Sequence, residues 1–369
     1  MSNVKINHKQ DWIERTLNIA SLIEKKSCFL FGPRQTGKTS LFKDMPVLIY
    51  DLLDSETHVR LSYNPGIIAQ EITPETEIVI IDDVQRLPFF LNEVHRLIEE
   101  RRIGFLLTSS SARKLRRGGV NLLGGRARIK YLHPLISGEL RERFDLKRAI
   151  ERGSLPSIYF SDDPKADIEA YIGTYLQQEI IAGGPSRNIP AFSRFLKITS
   201  SCNGTVVNFI NLANDAQVKR RTVYEYFEIL KDTLVLYELA GWRKTKKRKP
   251  IASSKYYFFD VGVVSGLQGR AFKMETPEFG EAFETYIMHE LVSHSDYVSG
   301  LPLSFWTSTS EFEVDFIIGD HTAIEVKAKG DISPQDVKSL RALEEESEMK
   351  HYICVCLEPH IKKMGNIST

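Results

Sequence analysis

The residues best suited to chemistry lie near the start of the chain, in the segment FGPRQTGKTS. Its glycines, lysine and threonine have the spacing GxxxxGK followed by Ser or Thr, with an apolar strand before the loop and a helical segment after it. In such a loop the backbone amides wrap phosphates, the lysine reaches the β and γ phosphates, and the threonine ligates Mg²⁺. The sequence therefore predicts an ATP and Mg²⁺ site formed by Gly32, Pro33, Arg34, Gln35, Thr36, Gly37, Lys38, Thr39 and Ser40.

Two later strands end in polar residues that could complete this site. The strand EIVIIDD ends in two acids, and we expect Asp82 to hold the metal and Asp83 to position the attacking water. The strand GFLLTSS ends in hydroxyl groups, so Thr108 or Ser110 is a candidate sensor of the γ phosphate. Ordinary capping of the strand end is the alternative role for these hydroxyls.

Arg126 follows two glycines in the segment LLGGRARIKYL. An arginine there could meet the γ phosphate bound by a neighbouring subunit, which would make it catalytic in a homo-oligomer. Contact with DNA phosphate and simple solvation of a loop are the alternatives.

A second set of chemically able residues lies in the segment EFEVDFIIGDHTAIEVKAKG. Asp315, Glu325 and Lys327 match the D…ExK signature of metal-dependent nucleases, in which the acids hold Mg²⁺ and the lysine stabilises charge or assists water. Side chains alternate between the faces of a strand, so Glu325 and Lys327 share one face. A hairpin that pairs Phe316 with Ile324 matches apolar to apolar. The same register sets Asp315 beside Glu325 and requires a loop with an odd number of residues.

Several segments together resemble those of the AAA-superfamily ATP-binding proteins of bacteria and archaea that end in a PD-(D/E)xK nuclease-like domain of unassigned function. They are GPRQTGKT, IIDDVQRLP, LLTSSS, LLGGRARIKYLHPLISGEL and RGSLPSIYF, and the resemblance runs over nearly the whole chain. It implies an acid on the helix before the nuclease strands, at Glu284, as a further metal ligand. The family usually has Glu where this chain has Asp83, and a shorter carboxylate leaves slow hydrolysis and a switch-like role open. An inactive relative that keeps the fold for DNA binding or scaffolding is the alternative.

The elements that must position these residues form three parts of an α/β protein. Short apolar strands alternating with helical stretches predict a P-loop AAA-type ATPase domain with a mostly parallel sheet over residues 1–136. Helical periodicity predicts a helical region with a winged helix-turn-helix over residues 137–250. Strands and helices alternate again over residues 251–369, where the resemblance implies a restriction-endonuclease-like α/β domain.

The middle part contains the segment TVVNFINLANDAQVKRRTVYEYFEILKDTLVLYEL. It predicts a helix, a turn, and a second helix that begins near Thr222, which could cap it, and continues to Leu239. The cations at the start of the second helix are Lys219, Arg220 and Arg221. The basic run RKTKKRK at 243–249 lies where a wing would be, so we expect both groups to contact DNA phosphates. A protein interface is the alternative use of the same helices.

Composition limits the classes of protein to consider. Of the 369 residues, 42% are apolar and 26% are charged, which is typical of a soluble globular chain. No stretch approaches the ~18 apolar residues of a membrane span, so we expect no membrane contact and a cytoplasmic location. The net charge is +1, but residues 101–130 hold nine Lys or Arg and no acid, which favours a polyanionic partner.

Three functional hypotheses follow from these patterns. The first is an ATP-binding and ATP-hydrolysing enzyme that acts on DNA and cuts it with Mg²⁺. The second is a nucleotide-dependent switch that binds DNA or a partner protein without cleavage. The third is a ring-forming motor that remodels branched DNA.

Overall fold

The computed structural model of the chain describes residues 13–43, 45–111, 115, 123–176, 188–245, 253–274 and 276–369. Within these ranges, five strands near the start form one sheet in which every pair of neighbours is parallel. The order is β2–β3–β4–β1–β5, with β1 at Cys28–Phe31, β2 at Leu48–Asp51, β3 at Ile78–Asp82, β4 at Gly104–Ser109 and β5 at Arg128–Tyr131. The five strand segments and their parallel arrangement were predicted from the sequence, and the structure confirms them.

Alternation along β1 explains why this sheet is buried on both faces. Phe29 and Phe31 face one apolar core, whereas Cys28 and Leu30 face another. The helices described around the sheet are α1 at Ile19–Ile23, α2 at Ser55–Tyr63, α3 at Ile67–Glu71 and α4 at Leu91–Arg101. The sheet is therefore a rigid platform whose carboxyl-terminal edge carries the predicted nucleotide loop.

The middle of the chain is mainly helical. Its helices are α5 at Ser137–Leu140, α6 at Leu146–Arg152, α7 at Pro156–Tyr159, α8 at Pro164–Ala170, α9 at Ile189–Ser200, α10 at Phe209–Asp215 and α11 at Arg220–Asp232. Helices α10 and α11 flank the predicted turn. Throughout the described ranges, no helix combines the length and apolar character needed to cross a membrane.

The second helix of this pair differs from the prediction at both ends. It begins at Arg220, so Thr222 lies inside the helix and does not cap it. It ends at Asp232 because Leu234 adopts a left-handed conformation with φ of 59°. The apolar residues that follow, predicted as helix to Leu239, form a strand instead, since they pair with the later segment Ser254–Phe258.

The remaining described strands form a nine-stranded mixed sheet of order β13–β14–β12–β11–β10–β9–β7–β8–β6. Their bounds are β6 Thr205–Val206, β7 Leu236–Gly241, β8 Ser254–Phe258, β9 Leu303–Thr307, β10 Glu313–Ile318, β11 Thr322–Lys327, β12 His351–Cys356, β13 Lys363–Met364 and β14 Ile367–Ser368. Helices α12 at Val261–Gln268, α13 at Glu278–His294 and α14 at Lys338–Glu344 complete this part. Strands β7 and β8 stand on either side of residue 250, where the sequence predicts a domain limit.

Two cores cover the faces of the large sheet. One is shared with the middle helices and includes Phe195, Phe227, Tyr257, Phe283 and Phe316. The other packs Trp306, Val314 and Ile317 beneath α14. The first core joins the middle helices to strands on both sides of residue 250.

Gly262 of α12 should be required by close packing. A Cβ at this position would lie 2.2 Å from the backbone oxygen of Arg152, so Gly262→Ala should lower the free energy of unfolding by about 1–3 kcal/mol. Gly280 of α13 has no atom within 4 Å of a built Cβ, so Gly280→Ala should raise it by about 0.5–1 kcal/mol. Urea denaturation followed by tryptophan fluorescence measures the two changes, since Trp242 and Trp306 lie in a core of the large sheet. Equal effects of the two substitutions would contradict the packing argument.

Candidate functional site

The glycine-rich loop begins where β1 ends, at the carboxyl edge of the parallel sheet. Gly32 packs against the backbone of Leu132, where a Cβ would lie 2.4 Å from the carbonyl oxygen, and Gly37 has φ of 91°. Both positions therefore require glycine. Lys38 turns back into the loop, and its ammonium donates to the carbonyl oxygens of Gly32 at 2.7 Å and Pro33 at 2.9 Å. The loop thus holds a buried cation where the sequence predicts phosphates.

Asp82 lies at the end of β3 and faces the loop, as the sequence predicts. The hydroxyl of Thr39 donates to one carboxylate oxygen at 2.7 Å, and the hydroxyl of Thr108 donates to the other. Burial raises the pKa of Asp82 above its ordinary value, while these two hydrogen bonds act in the opposite direction. Because both donors are neutral, they orient the carboxylate and leave its negative charge uncompensated.

Asp83 is held in a different way from its neighbour. Its backbone is left-handed, with φ of 57° and ψ of 43°, and its amide donates to the hydroxyl of Thr108 at 3.0 Å. The side-chain amide of Gln85 donates to Asp83 Oδ1 at 2.7 Å and to the hydroxyl of Ser110 at 3.3 Å. Thr108 therefore bonds to the side chain of Asp82 and to the backbone of Asp83, whereas the hydroxyl of Ser110 accepts from Gln85.

Gln85 is a member of this site that the sequence reasoning missed. It is buried, and its Oε1 has no hydrogen-bond partner among the described residues. The signal was present in the segment IIDDVQRLP, where Gln85 lies two residues after Asp83. Nothing in the pattern alone distinguishes it from a solvated glutamine on a turn.

Arg126 lies far from the loop of its own chain. It precedes β5, which runs parallel to β1, and the amide of Arg128 donates to the carbonyl of Ser27 just before β1 begins. Arg126 therefore lies at the amino edge of the sheet, where it forms an ion pair with Glu99 of α4. A strand of six residues such as β4 spans ~20 Å, so the structure does not bring Arg126 together with the other predicted residues.

The hairpin of β10 and β11 keeps the predicted register from Phe316 to Ile318, but the ladder does not include the predicted pair of Asp315 and Glu325. Phe316 pairs with Ile324, and Ile318 pairs with Thr322 across a three-residue loop. The ladder stops at Phe316, because the carboxylate of Asp315 accepts the amide of Val326 at 2.8 Å. On its other side β10 shifts register against β9 between Val314 and Ile317. Such an irregularity is a common means of redirecting a side chain near a site.

The predicted acids of this region lie within one electrostatic cluster. Asp315 and Glu325 are buried, and the ammonium of Lys327 lies 2.6 Å from Glu325 Oε1. Glu284 of α13 accepts the hydroxyl of Tyr257 at 2.6 Å. Burial, followed by repulsion from Glu284 and Glu325, raises the pKa of Asp315 well above its ordinary value. Burial likewise raises the pKa of Glu325 to about 7, against the opposing effect of Lys327.

The arrangement of these acids bears on whether they could hold a metal ion. Across the ranges that the structure describes, no group of three or more His, Cys, Asp or Glu is gathered at metal-binding spacing. Glu325 Oε2 is nevertheless buried and without a hydrogen-bond partner in those ranges, as expected of an oxygen that awaits a ligand. Carboxylate oxygens are the ligands that Mg²⁺ prefers, so the residue types suit this ion. The distances between the acids are not those of a formed metal site.

The predicted DNA-contacting cations are exposed at the start of α11. Arg221 pairs with Glu225 at 3.1 Å, and the guanidinium of Arg220 lies over the ring of Tyr224 at 5.5 Å. Lys219 precedes the helix and is also exposed. Of the basic run 243–249, residues 246–249 lie outside the described residues. Lys244 pairs with Asp320 at 2.6 Å, in the turn between β10 and β11.

A buried contact joins the nucleotide loop to the rest of the chain. Arg15 donates to the loop carbonyl of Thr36 at 2.7 Å, to the carbonyl of His133 at 2.6 Å, and to Glu139 at 2.9 Å. The ring of His133 continues the contact, with Nε2 lying 2.6 Å from the carboxylate of Asp296, just beyond α13. The sequence reasoning did not single out any of these residues.

Helix α13 docks on the same segment through two further contacts. Glu290 accepts a hydrogen bond from the amide of Ser137 at 2.7 Å. His289 Nε2 lies 3.0 Å from the carbonyl oxygen of Leu135, and because a carbonyl only accepts, Nε2 is the donor. The helix that carries Glu284 thus also contacts the chain just beyond the ATPase sheet.

Three family models match successive parts of the chain. Residues 24–141 match the AAA domain, residues 143–273 match a domain of unknown function (DUF8612), and residues 279–369 match another domain of unknown function (DUF4143). The first match covers the loop and β3, and it supports an AAA-superfamily ATPase domain with a P-loop.

Comparison with whole proteins adds little to this assignment. No curated protein matches the chain. Among solved structures, the chain is similar to the replication initiator DnaA bound to AMPPCP and single-stranded DNA. The identity is 15%, the match covers 56% of this chain and 82% of that chain, and the TM-score of 0.25 is too low to carry an argument.

The two hydroxyls after β4 should differ in importance. Thr108→Val removes a donor to Asp82 and an acceptor for the amide of Asp83, so we expect ATP hydrolysis to slow by about 10–100-fold while ATP still binds. Ser110→Ala removes only the partner of Gln85 at 3.3 Å and should change the rate by less than about threefold. Single-turnover hydrolysis measures both rates, and a larger effect of Ser110→Ala would contradict the assignment.

His289 should make the fold sensitive to mild acid. Burial lowers its pKa below the ordinary value of 6.5, so its contribution to stability is present above pH 6.5 and is lost as pH falls through the folded pKa. Glutamine keeps a donor for Leu135 and takes up no proton, so His289→Gln should lose less stability than the unmodified chain between about pH 7.5 and 5.5, by about 1 kcal/mol. Denaturation at several pH values measures this, with the exposed His351→Gln as control. Identical pH profiles for all three proteins would refute it.

Proposed function

We propose that this chain is an ATP-hydrolysing protein that acts on DNA and carries a Mg²⁺-dependent nuclease site in its C-terminal part. The coarser statement, an AAA-type ATP-binding domain, is supported by the match over residues 24–141. The observation that supports the nuclease site most directly is the electrostatic cluster of Glu284, Asp315, Glu325 and Lys327, which come from one helix and two strands.

In the ATPase domain, this chain's residues have distinct proposed roles. Lys38 would exchange its contacts with loop carbonyls for the β and γ phosphates, which offer a stronger acceptor for its charge. Thr39 and Asp82 would hold Mg²⁺, which neutralises phosphate charge when bound. Asp83, tethered by Gln85, would position the attacking water. The shorter carboxylate of Asp83 favours slow hydrolysis.

DNA contact is proposed for the middle part. Helices α10 and α11 followed by the β7–β8 hairpin have the order of a winged helix-turn-helix. Lys219, Arg220 and Arg221 at the exposed start of α11 would contact DNA phosphates. The basic run 243–249, which lies between β7 and β8 in the sequence, would contact the DNA backbone. Arg126 faces away from its own loop, so contact with a γ phosphate requires a neighbouring copy of the chain.

In the C-terminal part, Asp315, Glu325 and Glu284 would hold Mg²⁺, and Lys327 would stabilise charge or assist the attacking water. When bound, the metal ion would polarise the scissile phosphate. Lys327 lies next to Glu325 on one face of β11, as the signature requires.

A nucleotide-dependent switch that binds DNA without cutting it is the second candidate. It is favoured by the fact that the described acids have internal partners and are not gathered at metal-binding spacing. In that case ATP would change how the middle part holds DNA, through the Arg15 and His133 contacts.

A cleavage assay separates the two candidates. We expect the unmodified chain to cut linear, plasmid or branched DNA in Mg²⁺ or Mn²⁺, and Glu325→Gln to slow cutting by at least ~100-fold because it removes a metal ligand. Glu348→Gln, an exposed acid of the same part, is the matched control and should leave cutting unchanged. Lys38→Ala should abolish ATP hydrolysis, and its effect on cutting reports whether ATP controls the nuclease. If no DNA is cut while ATP is hydrolysed and DNA is bound, the switch is the better reading.

A further inference from the structure

Lys255 is a buried cation of the acid cluster that neither the D…ExK signature nor the residues matched at 279–369 include. It lies in β8, just after the loop that follows the basic run, and its side chain is only 4% exposed. Lysine is rarely buried so deeply unless it is paired. Its surroundings should therefore explain its position.

The curvature of the large sheet brings Lys255 to the acids. Strands β7 and β9 lie between β8 and β10 in the hydrogen-bonding order, yet the rings of Tyr257 and Phe316 are only 5.9 Å apart. The sheet therefore curls so that β8 faces β10. A residue distant in sheet order thus reaches the cluster across the core.

Lys255 contacts the two acids at the edge of the cluster. Its ammonium lies 2.6 Å from Glu313 Oε1 and 3.6 Å from Glu284 Oε1, and over the ring of Phe305 at 5.3 Å. The hydroxyl of Tyr257 on the same strand donates to the same oxygen of Glu284. Strand β8 thus contacts Glu284 with one cation and one neutral hydrogen-bond donor.

The two other acids are held without Lys255. Asp315 is oriented by the amide of Val326, and Glu325 by Lys327, with Oε2 of Glu325 left without a partner in the described part of the chain. When all are ionised, four carboxylates face two ammonium groups, which leaves an excess of two negative charges. That excess equals the charge of one divalent cation.

We propose that Lys255 is a built-in counter-cation that competes with a divalent metal ion for Glu284 and Glu313. In the metal-free chain it pairs with both acids, compensates one of their two negative charges and keeps Glu284 away from metal-binding geometry with Asp315 and Glu325. A metal ion that enters at Glu325 and Asp315 must displace the ammonium before Glu284 can join it. This proposal rests on the proposed metal site of the C-terminal part.

The test replaces the charge but keeps the length of the side chain. Full-length Lys255→Met is titrated with MnCl₂ by calorimetry in the absence of nucleotide, beside the unmodified chain. We expect Mn²⁺ to bind about tenfold or more tightly to the variant, because one competing positive charge is gone. Without metal, the variant should unfold at a lower temperature, and Mn²⁺ should raise that temperature by more than in the unmodified chain.

Control variants separate competition from simple loss of a lysine. Lys338→Met removes an exposed cation of α14 and should leave Mn²⁺ binding unchanged. Asp82→Asn shows how much of the binding comes from the nucleotide loop. Glu313→Gln, at a half-exposed acid, keeps the protein testable if Lys255→Met does not fold. In Glu313→Gln, Lys255 keeps Glu284 as its acidic partner and pairs with it more strongly. Mn²⁺ binding should therefore weaken by about threefold or more.

The outcomes distinguish this proposal from the function on which it rests. If the unmodified chain binds Mn²⁺ and Lys255→Met binds it equally or more weakly, the counter-cation role is refuted and the metal site stands. If Glu313→Gln leaves Mn²⁺ binding unchanged, the role is refuted as well. If binding in the unmodified chain disappears entirely with Asp82→Asn, the C-terminal metal site itself is refuted, and the competition with it.

Discussion

Helix α13 is packed against apolar residues along most of its length, and several of its polar side chains are stabilised by partners inside the protein. Glu284 accepts from Tyr257 of β8, and Thr285 accepts from Asn203. His289 contacts the backbone carbonyl of Leu135, and Glu290 accepts from the amide of Ser137. These partners come from different parts of the chain. Because these four contacts form together, they fix the rotation of the helix, and the helix in turn fixes how the parts meet.

Some elements of the fold could be predicted because their signals lie in short stretches of the sequence. The parallel strands, the loop and the Phe316–Ile324 register follow from apolar alternation and glycine spacing, which a single chain displays directly. The end of α11 could not be read in this way, because the residues after Asp232 keep an apolar pattern that a helix or a buried strand can satisfy. Their pairing with β8 decided the matter.

Residues brought together by curvature were also beyond sequence reasoning. Lys255 and Tyr257 appear in the sequence as a lysine and a tyrosine in an apolar strand, and nothing local places them beside Glu284. Arg15 is more than a hundred residues from Glu139, which it contacts. Such pairs depend on long-range packing, so they can be identified only when the whole fold is known. The assignments of the middle part as a winged helix and of the C-terminal part as a nuclease remain proposals for a related reason: they concern what the surfaces bind.

The two acid sites differ in the groups that stabilise their buried carboxylates. Asp82 is oriented by hydroxyl groups, which leave its negative charge available to a cation. The C-terminal acids are oriented partly by ammonium groups, which already compensate much of theirs. A site of the first kind is ready for an ion as it stands, whereas a site of the second kind must rearrange.

The nine-stranded sheet also bears on how such a chain can change over generations. Its strands β7 and β8 come from before residue 260 and β9 to β14 from after residue 300, yet β7 pairs with β9 within one sheet. A recombination event that exchanged only the later strands would leave the edge of β9 facing a foreign partner and would remove Tyr257 from Glu284. The two segments therefore depend on each other for the paired edge of β9 and for the partner of Glu284, so exchanging one of them alone should destabilise the sheet.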